Sequence, residues 1–251
     1  MKYTQLYSLL LFLILIAIWQ LAAGSMSELV LPAPSIILRT LAEGILSGYF
    51  TDHIIRTLLE ILLGLLLGGF LGFTAGILMG ESKFLYRLFA PYVIASQAVP
   101  KLALAPLFIL WFGFGMTSKV IITALICFFP LMENTISAIQ HTDKQKLELF
   151  RMLKASRWQT LIYLKIPSGL PSILAGLRVA VILAVVGAVV GEFIGGSEGL
   201  GALIIASQSM MDTPLMFASL IILTVIGMIL YQLVHLAEKR WAKSYMKENK
   251  K

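Results

Sequence analysis

Residues 57–79 read TLLEILLGLLLGGFLGFTAGILM, with Glu60 the single ionisable side chain and no proline. A helix needs about 20 apolar residues to cross a hydrocarbon core about 30 Å thick. The run is too continuously apolar for the alternation of an outer-membrane barrel, and an open sheet in hydrocarbon leaves backbone groups unpaired. The stretch reads as a membrane-spanning helix. Gly64, Gly68, Gly72, Gly76 and Gly80 recur every fourth residue, with Gly69 beside them. Such spacing lets a second helix backbone approach closely, and it also suits a contact that slides.

Five further apolar runs lie around it, at 6–23, 88–112, 119–139, 171–194 and 215–236. The fold expected is all-α and polytopic, with six transmembrane helices in one unit over residues 1–251. Composition agrees: 59% of the 251 residues are hydrophobic and 13% charged, against about 25% charged in ordinary soluble domains. A mean hydropathy of +0.89 is too high for one anchor on a soluble domain. The first run has a second reading as a signal peptide, with Lys2, an apolar region and then Leu21-Ala22-Ala23-Gly24-Ser25. Its length and its Trp19-Gln20 ending favour a retained helix near an interface.

The 20 Lys and Arg against 13 acidic residues give a net charge of +7. They cluster in alternate connections. Lys83 and Arg87 follow the second run; Lys144, Lys146, Arg151, Lys154, Arg157 and Lys165 lie between the fourth and fifth; and Lys239, Arg240, Lys243, Lys247, Lys250 and Lys251 form the tail. With Lys2 these all fall on one side, and the positive-inside rule places that side, with both termini, in the cytoplasm. The charge is thus a topology signal, with acidic lipid headgroups as the tail's partner. It argues against nucleic acid, which needs cations gathered on a soluble face. Cys127 is the one cysteine, and His53, His141 and His235 are scattered. Neither a disulfide nor metal-ligand spacing arises, nor the nucleophile–base pair of an intramembrane enzyme.

Pro91, Pro100 and Pro106 interrupt the 88–112 run, and Pro130 the next. Proline removes an intrahelical hydrogen bond, and backbone freed within a membrane must be satisfied by neighbours or by a cavity. The candidate pathway residues are Gln97, Lys101, Glu133, Arg178 and Glu192. Lys101 lies between two prolines, and an intramembrane cation is a functional candidate. Arg178 also fits an anchor that snorkels to the inner interface, while Glu133 and Glu192 suit either a polar lining or local pairing. The loop GGSEGLG at 195–201 is no phosphate loop: it lacks Gly-x-x-x-x-Gly-Lys-Ser/Thr and follows no strand. ATP hydrolysis would need a different polypeptide.

Residues 140–171 are too long for a simple connection between neighbouring helices, which takes about 2–8 residues. Within them, 141–167 read HTDKQKLELFRMLKASRWQTLIYLKIP. Apolar and charged positions alternate at helical spacing, giving two short amphipathic helices that meet at Ala155-Ser156. Ser156 and Gln159 have the spacing of a capping box, so the second helix is expected to begin at Arg157 and stop before Pro167. Such a pair suits a lever docked in a motor subunit, with Phe150 as its knob and Glu148 and Arg151 as charged flanks. It also suits a helix lying flat on lipid.

The segment resembles the coupling motif of binding-protein-dependent ABC importer permeases: Glu-Ala-Ala, three residues, Gly, then about nine residues to Ile-x-Leu-Pro. Here Glu148-Leu149-Phe150 stands first, Lys154 takes the glycine position, and Ile162-Tyr163-Leu164-Lys165-Ile166-Pro167 closes it. Ala105-Pro106-Leu107, Trp111-Phe112-Gly113, Ala155-Ser156-Arg157-Trp158-Gln159, Ala175-Gly176-Leu177-Arg178, Gly191-Glu192-Phe193-Ile194 and Gly199-Leu200-Gly201 resemble the nitrate, sulfonate and taurine branch, of the type I fold. The resemblance implies one permease domain over 1–251, with a cytoplasmic coupling segment at 140–171. It implies ATPase coupling through Glu148, Leu149, Phe150, Arg151, Leu153, Lys154, Ser156 and Arg157. The implied partners are a second permease copy in a homodimer, two ATP-binding subunits that hold the ATP, and an extracytoplasmic solute-binding protein; the chain itself carries no cofactor. A nitrate-, sulfonate- or taurine-like anion, or a vitamin or pyrimidine precursor, would move inward across the cell membrane by alternating access. Lys154 departs from the motif. If that position is left-handed, a non-glycine residue costs of the order of 1 kcal/mol there; otherwise the turn takes another geometry. A stand-alone secondary transporter, the alternative, predicts an inverted repeat and a midplane ionisable pair, and the sequence presents neither.

Overall fold

The computed structural model describes residues 2–248, with side chains for 6–240; the tail cations Lys243, Lys247, Lys250 and Lys251 lie beyond those side chains. The helices, in order, are α1 (Lys2–Ala23), α2 (Pro34–Leu46), α3 (Thr51–Glu81), α4 (Lys83–Ala98), α5 (Ala105–Phe112), α6 (Met116–Gln140), α7 (Lys144–Met152), α8 (Arg157–Thr160), α9 (Ile166–Gly195), α10 (Leu200–Ser209) and α11 (Thr213–Glu248). A 3-10 turn at Lys101–Leu104 precedes α5, and a π turn at Leu161–Lys165 joins α8 to α9. Among the described residues there is no strand. Five helices are long and apolar enough to cross a membrane, or six when the bent pair α4–α5 counts as one.

Helix α6 is the centre of the bundle, and glycine explains why. On one side α3 lies against it: a Cβ at Gly64 would meet Thr123, one at Gly68 the backbone of Ala124, and one at Gly76 Thr135. On the other side α9 does the same, with Gly169 against Ala138, Gly176 against Asn134 and Gly187 against Thr123. The four-residue spacing of α3 is therefore a packing seam, since only a missing side chain lets two backbones come this close. Between α6 and α9 the core is small, with buried Cys127, Ala180, Ala184 and Ala188; the Cys127 thiol donates to the Ala180 carbonyl at 3.4 Å. Ile37, Phe50, Leu200, Leu203, Ala218 and Ile222 extend this core to α2, α10 and α11. At the edge, α1 is tied by Trp19 against Phe217, with ring centroids 5.8 Å apart, and by Gln20 bonded to Ser35.

The run 88–112 is interrupted where its prolines lead one to expect, and sharply: α4 and the Lys101–Phe112 segment meet at 82°. Proline at 100 pushes Val99 into an extended conformation (φ −71°, ψ 127°), and Pro106 restarts the helix in its first turn, where no N–H is needed. One expectation is corrected: the helix starting at Arg157 does not stop before Pro167. It continues as one apolar element of 39 residues, Arg157–Gly195. The π turn has already displaced the i→i−4 ladder ahead of Pro167, so the missing N–H falls at the start of α9.

Candidate functional site

The segment that carries the coupling motif is stiffened at each end by short-range chemistry. Asp143 caps α7 by accepting from the Gln145 N–H at 2.9 Å. At the other end Lys154 is left-handed, with φ 53°. The Ala155 N–H donates to the Phe150 carbonyl at 3.0 Å, and the Lys154 N–H to that of Arg151 at 2.9 Å. These two bonds make a Schellman cap, which explains why the motif's glycine position needs a left-handed residue. One residue later the capping box closes: the Gln159 N–H donates to Ser156 Oγ at 3.1 Å, and the Ser156 N–H to Gln159 Oε1 at 2.8 Å. Two helices thus meet at a turn with little freedom.

What this unit presents is apolar. Leu149, Met152, Leu153 and Trp158 are exposed, Met152 by 80%, beside exposed Glu148, Arg151 and Arg157. Phe150, expected to be the knob, is only half-exposed. Among the described residues helix α7 packs closely against no other helix, whereas the α8–π turn is anchored by buried Leu161 and Leu164.

Of the candidate pathway residues, three come together. Gln97, Lys101 and Glu133 line one cavity of about 500 Å³, with Asn134, Phe129 and Pro130, where α4 breaks. Gln97 Nε2 donates to Glu133 Oε1, and the Lys101 ammonium sits 4.3 Å above the Phe129 ring, a cation–π contact. Irregular backbone lining a polar cavity is the arrangement a bilayer tolerates. A second cavity of about 270 Å³, between α4 and α6, also includes Glu133 and runs to His141 at the end of α6. The other two candidates lie elsewhere. Arg178 pairs with Glu238 on α11 at 3.3 Å, and Glu192 is enclosed at the opposite end of α9.

The family model for the binding-protein-dependent transport system inner membrane component matches residues 64–243. The chain belongs to that family. Relatives include the riboflavin transport system permease protein RibX of Chloroflexus aurantiacus, 38% identical over 92% of this chain and 88% of the relative. The putative aliphatic sulfonates transport permease protein SsuC of Bacillus subtilis is 38% identical over 97% and 90%. The formylaminopyrimidine transport permease protein ThiX of Halalkalibacterium halodurans is 39% identical over 91% of each. Among solved structures, the MetNI methionine ABC transporter in an inward-facing form aligns with a TM-score of 0.68 at 17% identity, over 79% of this chain and 97% of that one. The chain is a permease subunit of an ABC importer, and the fold is that of such permeases.

In this permease the enclosure of Glu192 belongs to a buried network absent from the sequence reading. Thr57 Oγ1 donates to Glu192 Oε1 at 2.6 Å and accepts from the Leu200 N–H at 2.8 Å, while the Gly201 N–H reaches Glu192 Oε2 at 2.6 Å. The loop refused as a phosphate cradle thus wraps a carboxylate of its own chain. Gly199, with φ +112°, faces that carboxylate, leaving no room for a Cβ. Beside it Lys119 Nζ donates to Glu60 Oε1 at 2.9 Å and to the Glu198 carbonyl at 3.2 Å; Lys119 and Glu60 are 3% and 0% exposed. Glu60 itself carried the signal, as an ionisable residue in an apolar run. Arg56 lies one helical turn away, at 3.6 Å, but the hydrogen-bonding partner Lys119 lies 59 positions away, at no spacing a sequence pattern records.

Proposed function

We propose that two copies of this permease form the pathway of the importer, with two ATP-binding subunits docked on their α7–α8 surfaces. A solute-binding protein delivers solute at the opposite face. In this reading the α7 end is cytoplasmic, as the positive-inside rule requires, and ATP is held entirely by the partner subunits. The observation that carries the reading is the α7–α8 unit: exposed Leu149, Met152 and Leu153 on a helix that packs closely against no other, held rigid by the caps at Lys154 and Ser156. A rigid apolar knob flanked by charge suits a groove in a protein better than the mobile surface of a bilayer.

The cavity at the α4 break is each subunit's contribution to that shared pathway. Its lining combines an ammonium, a carboxylate, two amides and an aromatic ring, which suits a small polar solute with a planar or charged group. That range includes the compounds named for the relatives, from sulfonates to riboflavin. Alternating access then means that ATP-driven closure of the motor subunits reorients the helices around Glu133. The docking reading is tested by co-purifying the ATP-binding subunits with Leu153→Asp: their loss supports it, and unchanged association overturns it. The solute is identified by mass spectrometry of the ligand retained on the purified binding protein.

A further inference from the structure

Only a few physical links connect the α7–α8 unit to the bundle. The chain enters it from α6 through His141 and Thr142 and leaves it through the π turn into α9, where buried Leu161 and Leu164 pack. A further link is polar. Lys165, the last residue of the π turn, places Nζ 2.6 Å from Glu81 Oε1, the last residue of α3.

Three features set this pair apart from an ordinary surface ion pair. A carboxylate in the last turn of a helix opposes the helix dipole, so Glu81 stands where its own helix disfavours it, and the cation that offsets this comes from 84 residues away. Both side chains are largely enclosed, at 17% and 26% exposure, where charge pairs are screened less than at a free surface. Glu81 also sits at a joint: Ser82 is extended (φ −113°, ψ 108°) and its Oγ accepts from the Leu85 N–H, capping α4. Helix α4 carries Gln97 to Glu133, yet has no buried residue of its own. Its direction is therefore set largely at its root.

We propose that Glu81 and Lys165 are a positioning pair: they transmit displacement of the α8–π turn to the α3–α4 joint, and so set the separation of α4 from α6 across the Glu133 cavities. This rests on the docking of an ATP-binding subunit at α7–α8. A push there moves the α8–π turn, ahead of Gly169, where α9 is held against Ala138. Lys165 then pulls Glu81, and α4 swings about Ser82. The seam explains why the body of α3 does not follow: a Cβ at Gly80 would already meet Ile139, and at Gly76 Thr135, so the displacement is confined to Glu81 and the joint after it.

The test uses the full complex, permease with its ATP-binding subunits, and needs no knowledge of the solute. Cys127 is the single native cysteine; in a Cys127→Ala background, Ser137→Cys places a reporter in the cavity between α4 and α6. Its labelling by a membrane-impermeant maleimide is timed with and without ATP plus vanadate. Glu81→Gln and Lys165→Met are expected to retain the ATP-binding subunits and ATP hydrolysis, but to shrink the ATP-dependent change in labelling rate about fivefold, as loss of a coupled pair does. Lys165→Arg, and the exchange Glu81→Lys with Lys165→Glu, are expected to restore it to within about twofold. A full ATP response in both single variants overturns the proposal, as does an exchange variant that folds and binds the subunits yet responds no better than the singles. Loss of the subunits from the intact-pair permease overturns the docking reading first, and the role of the pair with it; this is scored separately by co-purification.

Discussion

The two ends of the bundle hold their charges differently. At the α10 end Glu60, Lys119 and Glu192 are all but inaccessible; Lys119 and Glu192 each hold two hydrogen bonds, and Glu60 takes one from Lys119 with Arg56 3.6 Å away. At the α7 end Glu81 meets Lys165 alone and Glu238 faces Arg178 and His235, and roughly a fifth of the Glu81, Lys165, Arg178 and Glu238 side chains is still open. Buried charges persist only where geometry and extra hydrogen bonds compensate desolvation, and removing one partner leaves the other stranded. A pair with a fifth of its surface open lets water reach a partner left alone, so breaking it costs less than stranding a fully buried charge. The α10 end is therefore built to stay assembled, while the α7 end can exchange partners within a working cycle.

The sharpest way to break this contrast is Glu60→Ala, which strands the Lys119 ammonium. A loss of about 3–5 kcal/mol is expected, seen as a large drop in the thermal unfolding midpoint of the purified permease; a wild-type midpoint would place both ends in one class. Next comes the seam joining them. Gly68→Leu forces α3 away from the Ala124 backbone and is expected to cost about 1–3 kcal/mol by overpacking, measured by chemical denaturation. Lys165→Met should shift stability by under about 1 kcal/mol in the same assay, although it is a variant expected to blunt the ATP response. If it unfolds the permease as Glu60→Ala does, the distinction between the ends fails. The smallest effect is expected at the cap. Lys154→Gly relieves the left-handed residue and should raise stability by no more than about 1 kcal/mol, with association of the ATP-binding subunits retained.

Much of this architecture is legible in the amino-acid order because the bilayer makes length and polarity decisive. Residues 57–79 announce a span, and Ser156 with Gln159 announce a helix start, because each depends only on neighbours. Lys154 falls between: the motif points to a left-handed position, and only the backbone shows φ 53°. The break at Pro100 is readable as a break but not as an 82° turn, since the angle is set by what α4 and α5 rest against. Pro167 misleads, because the rule that proline ends helices presumes an unbroken ladder before it, which the π turn does not provide. Glu192 and Arg178 are polar residues in apolar runs like Glu133. Nothing local separates the one wrapped by Gly199 and Gly201, or the one paired with Glu238, from the one that lines a cavity. Long-range partners decide such roles.

The bent pair α4–α5 leaves the glycine seam at Glu81 and returns to it at Met116. Within the chain it is an excursion fastened at two opposite ends, and its first half has no buried residue to surrender when it shifts. In the language of hydrogen exchange, α4 is a separate unit of low opening free energy resting on the high-protection unit formed by α3, α6 and α9. Its amides are expected to exchange by local opening, while those of α6 wait for the whole bundle to come apart. The α4 wall of the Glu133 cavities can thus fluctuate at a small fraction of the energy that holds the protein together.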